Sequence, residues 1–330
     1  MTEEQAGLVD NGLIFGFQLD GNGGGVELEW EKIAVQTGGN QVEWLHFDFT
    51  NENVRKWLRD KSGINSLVVD ALLHEDSRPR IFEQADGLLV TLRGVNTNPG
   101  ADAEDMVSIR LWVQADRIIS TRRRQLLSVV GIQQALCEGH GPRSSEALLF
   151  MLVKSLGERI EYVVEGLDES IEQLEVDIET GQQKGYETGF SNLRRQSARI
   201  RRYLAPQRDA LERLSRLDTP LLSIKVREQI HEEANKITRY LEDLDLVRER
   251  AMVAQEELLA RMANEQNSRM YVLSLVAAIF LPLSFLTGLM GMNVAGLPGT
   301  EDPKAFAMLV MLMLGAALGI VGLFKWQKWL

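Results

Sequence analysis

Between Leu286 and Gly299 the chain reads LTGLMGMNVAGLPG, a segment without a carboxylate, a histidine or a cysteine. The groups that could meet a solute there are the side-chain amide of Asn293 and the backbone carbonyls around it. Such oxygens cannot strip a divalent ion of its water and hold it by inner-sphere bonds of ordinary strength. Repeated around a symmetry axis, however, they make a ring of dipoles that hydrogen-bonds a hydrated cation and releases it again. The Asn293 amide and the carbonyls beside it are therefore the groups expected to form such a ring. Glu301 and Asp302 follow closely and would raise the local cation concentration.

Two apolar stretches must position this segment. Residues 271–290 and 305–324 each run for twenty positions without a charge. At about 1.5 Å per residue, each is about 30 Å long as a helix, the thickness of a bilayer core. Two such spans in succession predict transmembrane helices. In the first, Asn267, Met270, Ser274, Ala277, Leu281, Ser284 and Gly288 recur at three- or four-residue steps and share one face. Small, weakly polar residues suit a wettable lining or close helix packing. Pro282 removes a backbone donor and is expected to bend this span. The second span lacks a polar stripe. Two helices per chain cannot enclose a water-filled path, so a pore requires several chains.

Charge placement orients the spans. Arg261 and Arg269 precede the first, and Lys325 and Lys328 follow the second, whereas the connection 291–304 holds Glu301, Asp302 and a single lysine, Lys304. Both termini are thus expected in the cytoplasm, with the short loop outside. Lys325 and Lys328 would form a basic collar at the cytoplasmic end of a pore, or snorkel to lipid headgroups.

Residues 1–140 read as an α/β domain. GLIFGFQLDGNGGGVELEW (12–30) suggests two strands around a glycine-rich turn. A phosphate-cradling loop would need a following helix and usually a lysine, but VELEW alternates as a strand does. Further strands are expected at 43–48, 88–93, 106–113 and 117–121, with helices at 51–62 and 124–136. From Ser144 the pattern turns helical. Residues 146–179 are rich in acids and 190–208 in arginines, with the turn-like ETGQQKGYETG between them. This predicts an antiparallel hairpin with cross-helix ion pairs. A helical pattern then runs from about 223 to 290 without glycine or proline before Pro282, a stalk that enters the membrane. The organisation expected is therefore 1–140, a helical region 141–269, and a pore domain 270–330.

The net charge of −11 argues against a nucleic-acid partner, which needs a basic face. The single cysteine, Cys137, excludes an intrachain disulfide. No enzyme constellation is visible and no cofactor is expected. His74, His140 and His231 lack ligand spacing, while His46 and Asp48, two apart on one strand face, make a weak candidate metal site.

FLPLSFLTGLMGMN, followed by a short loop, a second span and a terminal KWL, resembles the CorA metal-ion transporter family, whose hallmark is a Gly-Met-Asn tripeptide at the outer pore mouth; the resemblance implies that role for Gly291, Met292 and Asn293. RPRI (78–81), STRRRQLL (120–127), RRYLAPQRD (201–209) and FLTGLMGMNVAGLPG (285–299) are similar to its ZntB zinc-transporter branch, over almost the whole chain. The resemblance implies a homopentamer in a bacterial inner membrane. Its cytoplasmic funnel would lead into a pore lined by the first span, with proton-coupled Zn²⁺ uptake. Met290 stands where magnesium channels of this family typically carry an aromatic residue. A Mg²⁺/Co²⁺ channel and a membrane-tethered metal sensor or scaffold are the alternatives.

Overall fold

The computed structural model describes residues 11–33, 41–75, 78–180, 186–292, 297 and 303–327. In chain order the elements are β1 (Leu13–Leu19), β2 (Gly25–Glu27), α1 (Trp30–Ile33), β3 (Glu43–Asp48), α2 (Glu52–Asp60), α3 (Ser66–Leu73), β4 (Arg80–Gln84), β5 (Gly87–Gly94), β6 (Val107–Val113), β7 (Arg117–Arg122), α4 (Leu127–Cys137), α5 (Ser145–Glu179), α6 (Tyr186–Arg216), α7 (Ile224–Met290) and α8 (Ala305–Trp326). Two compact units part between Gln255 and Glu256.

The first unit is built on a seven-stranded sheet in the order β2-β1-β3-β7-β6-β5-β4. Among the described residues only β3 and β7 pair in parallel, and the chain between them supplies α2 and α3 as cover. Side chains alternate across a strand. Leu45 and Phe47 of β3 and Ile119 of β7 therefore share a face, and they pack with Val54, Trp57 and Leu58 of α2 and Val68, Val69 and Leu72 of α3. The other face meets α5: a Cβ on Gly94 would come within 2.7 Å of Leu156.

The glycine-rich turn is structural. Asp20 Oδ1 accepts from the backbone N–H of Asn22, Gly23 and Gly24 at 2.7, 3.1 and 3.0 Å. Gly23 has φ +114° and sits so close to the α4–α5 connection that a Cβ would meet Gly139 O at 2.7 Å. Its own carbonyl accepts from Gly141 N at 2.6 Å. The turn leads into β2, but the strand expected over VELEW stops at Glu27, and Trp30 already begins α1.

Ser144 caps α5 by accepting from Ala147 N at 3.2 Å. α5 and α6 form the expected hairpin, but the expected ion pairs between them do not appear among the described residues. Both helices turn their charges to α7 instead. Arg250 of α7 bonds Asp168 Oδ1 at 2.8 Å and Glu175 Oε1 at 3.1 Å on α5, while Asp245 of α7 takes Arg201 of α6 at 2.8 Å. The reason lies in the third helix: α7 buries Ile230, Ile237, Leu244 and Ala251, a seven-residue spacing that seats it along the hairpin and brings Arg250 and Asp245 to these charges.

The sheet also buries a histidine. His46 is 1% exposed, stacked on Phe15 at 5.0 Å between ring centres, with Nδ1 2.7 Å from Ser120 Oγ. Ser120 Oγ accepts from Trp44 Nε1 at 2.9 Å. Burial, and secondarily the charge of Arg122, holds His46 down to a pKa of about 3. The fold thus accepts only the neutral ring. Below about pH 6.5 the unfolded chain binds a proton that the folded chain refuses, so stability falls as pH drops from 6.5 toward 3, by at most about 1.4 kcal/mol per pH unit from this residue. His46→Asn should flatten acid unfolding in that window, followed by circular dichroism. An unchanged slope would mean that His46 is protonated in the fold.

Candidate membrane pore and its entrance

The second unit holds the two apolar helices. An 18-residue window of α7 has mean hydropathy 2.3 and one of α8 has 2.5, and neither window has any residue buried within the chain. Large apolar side chains stand open along both: Phe280 at 63%, Phe285 at 68%, Phe306 at 77% and Leu318 at 71%. In water such surface would collapse or aggregate, whereas hydrocarbon accepts it and a helix satisfies its own backbone there. Pro282 lies inside α7, which continues unbroken past it. Thr287 Oγ1, one turn on, donates to the carbonyl oxygens of Leu283 and Ser284 at 3.1 and 2.9 Å.

The seven stripe residues fall on one α7 face. Asn267, Met270, Ser274, Ala277, Leu281, Ser284 and Gly288 are all exposed, Leu281 at 74% and Met270 at 58%. The half-buried positions of the span, Leu275, Ala278, Ile279, Pro282, Leu283 and Leu286, make a separate face. In α8 the half-buried positions Leu309, Met313, Ala316, Ala317 and Ile320 recur at the same three- or four-residue steps. The weakly polar stripe is thus left uncovered within a single chain. A Cβ on Gly288 would meet nothing within 4 Å.

Helix α7 ends where the tripeptide begins. Gly291 N donates to Thr287 O at 2.9 Å, closing the last turn, and Met292 follows at 47% exposure. Asn293, Glu301, Asp302 and Lys328 lie outside the described residues. Lys325 is exposed in the last turn of α8, beside Trp326 at 83%.

No three histidine, cysteine, aspartate or glutamate side chains gather to hold a metal among the described residues. His46 is walled in by Phe15, Trp44 and Ser120, and Asp48 Oδ1 is taken by Thr50 N and Oγ1 at 2.8 and 2.6 Å. The pair is therefore engaged in the sheet. Sequence reasoning passed over other buried charges, among them Arg110, Glu104 and Glu233, because no motif or spacing marks them.

Residues 39–325 match the family model described as CorA-like Mg2+ transporter protein. The chain is 38% identical over 324 residues to the divalent cation transporter CmaX of Pseudomonas aeruginosa, covering 97% of this chain and 98% of that one. It is 35% identical over 318 residues to the zinc transport protein ZntB of Yersinia enterocolitica, covering 96% of each. Among solved structures, full-length CmaX superposes with a TM-score of 0.87 at 37% identity, covering 98% of this chain and all of that one. The CorA magnesium transporter of Methanocaldococcus jannaschii superposes at 0.80 with 18% identity over 94% of this chain and 98% of that one, a likeness of fold. A sheet domain, a helix that runs on into an apolar span, a second apolar helix and these full-length matches lead to one conclusion: the chain belongs to the CorA-like Mg2+ transporter family.

Proposed function

We propose that this chain carries divalent cations across a bacterial inner membrane, through a pore that five copies build from the first span. Members of this family are transporters and not enzymes. The observation that carries the reading is the uncovered small-residue face of α7 running directly into Gly291. Five such faces around an axis supply a lining that none of the chains could make alone. Met292 and Asn293 would complete the outer mouth, where five amides hold a hydrated ion weakly enough for release. Glu301 and Asp302 would draw cations toward it, and Lys325 with Lys328 would set an electrostatic barrier at the inner end.

Zinc taken up with protons is the preferred cargo, supported by Met290 before the tripeptide and by the similarity to ZntB proteins. A Mg²⁺ or Co²⁺ channel is the second reading, favoured by the description of the family itself. Neither cargo needs a resident cofactor.

Asn293→Ala removes the amide oxygen from every copy at once and leaves the helices intact. At about 1 kcal/mol per lost polar contact, five losses together should abolish selective uptake. The check is zinc and magnesium uptake into proteoliposomes, with assembly followed by gel filtration. Full flux in a well-assembled variant would reduce the tripeptide to a turn. Topology is tested separately: a reporter fused after Leu330 should work only if it needs the cytoplasm. Activity from a periplasmic reporter would place the tripeptide on the wrong side.

A further inference from the structure

Beside β5 and β6 lies a charged cavity of about 410 Å³ that the proposed transport does not use. Its charged lining is Arg93 of β5, Asp105 of the β5–β6 connection, Glu75 just after α3, and Arg123 and Arg124 just after β7. Three guanidiniums thus face two carboxylates. Arg93 is the fixed member. It is 8% exposed, its guanidinium lies over the Tyr203 ring of α6 at 4.0 Å, and Nη1 donates to Met106 O at 3.0 Å. Its backbone N–H donates to Gln207 Oε1 of α6 at 2.7 Å. Ser108, half-buried in the same lining, stands opposite Arg93 in the β5–β6 register, so the two share a face of the sheet.

The other two arginines are free to move. Arg123 meets Glu75 at 3.3 Å and Arg124 bonds both carboxylate oxygens of Asp105, but all four side chains are between 44% and 63% exposed. Exposed pairs of this kind are worth little, so a better anion displaces them at small cost. Arg123 and Arg124 belong to STRRRQLL, and Tyr203 and Gln207 to RRYLAPQRD. Two stretches to which the pore assigns no task therefore meet around Arg93.

We propose that Arg93, Ser108, Arg123 and Arg124 bind a phosphate group, free or as the monoester of a small molecule, which displaces Asp105 and Glu75 from the arginine forks. A guanidinium fork matches two oxygens at a time. A carboxylate offers only two, whereas three guanidiniums and a hydroxyl around one cavity suit an acceptor with more oxygens and more charge. The volume falls within the range of small-molecule sites, about 300–1,000 Å³, and so has room for the body of an ester. On binding, Arg124 turns from Asp105 to the phosphate while Arg93 stays on Tyr203. The connection that carries Asp105 is itself held: Glu104, 4% exposed, meets Arg199 of α6 at 3.9 Å. The site lies within the first unit and does not depend on the chain carrying ions.

The test is calorimetric titration of the full chain in detergent, at fixed ionic strength, with sodium phosphate, ribose 5-phosphate and sodium chloride. The two phosphates should bind saturably and chloride should not. Tighter binding of ribose 5-phosphate assigns the site to an ester, tighter binding of inorganic phosphate to the free ion, and either supports it. Arg124→Gln removes one charged fork and should weaken binding by about tenfold or more. Asp105→Asn removes the competing carboxylate and should tighten it. Both positions are exposed, so neither change disturbs the core. Unchanged affinity in Arg124→Gln, no gain in Asp105→Asn, chloride bound as tightly as phosphate, or no saturable binding of either phosphate overturns the site.

Discussion

Everything in this molecule answers to one constraint: a chain with two membrane helices cannot hide its own polar face. The apolar windows of α7 and α8 bury nothing within the chain, so their surroundings must come from outside it. Lipid suits Phe285, Phe306 and Leu318. It suits Asn267, Ser274 and Ser284 less well, since polar groups are costly in hydrocarbon and find partners in other helices or in water. One face of α7 therefore asks for copies of itself while the large apolar side chains ask for lipid. A shared pore satisfies both demands at once.

The first unit shows how α7 is held before it reaches the membrane. A single helix of 67 residues has no reason to be straight or stable without neighbours. Here the neighbours are α5 and α6. Ser223, just before α7, donates its N–H to Glu146 at the start of α5, and Arg250 bonds Asp168 and Glu175 much further along both helices. The numbers rise together, so α5 and α7 run parallel. The offset is 77 residues at the first contact, 82 at Asp168 and 75 at Glu175, which Arg250 bridges together. An exposed ion pair contributes little by itself, about 0–1 kcal/mol, but the Arg250 cluster and the Ser223–Glu146 bond are made in one register only and so disfavour a slipped one. Register is what a helix feeding the proposed shared pore would have to keep.

Much of this was legible in the sequence, and the parts that were not have physical causes. Strand β3 was readable at its full length because EWLHFD alternates between two buried faces of unlike chemistry. The helical pattern was visible from about Ser144, and the structure adds the reason the helix starts there: the Ser144 hydroxyl accepts from Ala147 N. Helix α3 was missed: SLVVDALL, rich in valine and apolar along most of its length, lacks the polar face that marks an amphipathic helix. Strand β4 was missed because it is short and edge-placed, directly after Pro79. The partners of the acidic and basic helices were misread because sequence proximity suggested α5 with α6, whereas the buried heptad face of α7 decides who meets whom. The stripe on α7 was legible because helical periodicity survives in any environment. The neutral fate of His46 was not, since it depends on Ser120 and Phe15, both distant in sequence.

A pore lined by α7 requires that several chains assemble. Native mass spectrometry of the detergent-extracted protein measures this directly. The account predicts a five-chain species that persists at concentrations where uptake is observed. A monomer or dimer that sustains full cation uptake in proteoliposomes would contradict it, because two or four helices leave no enclosed path for a hydrated ion.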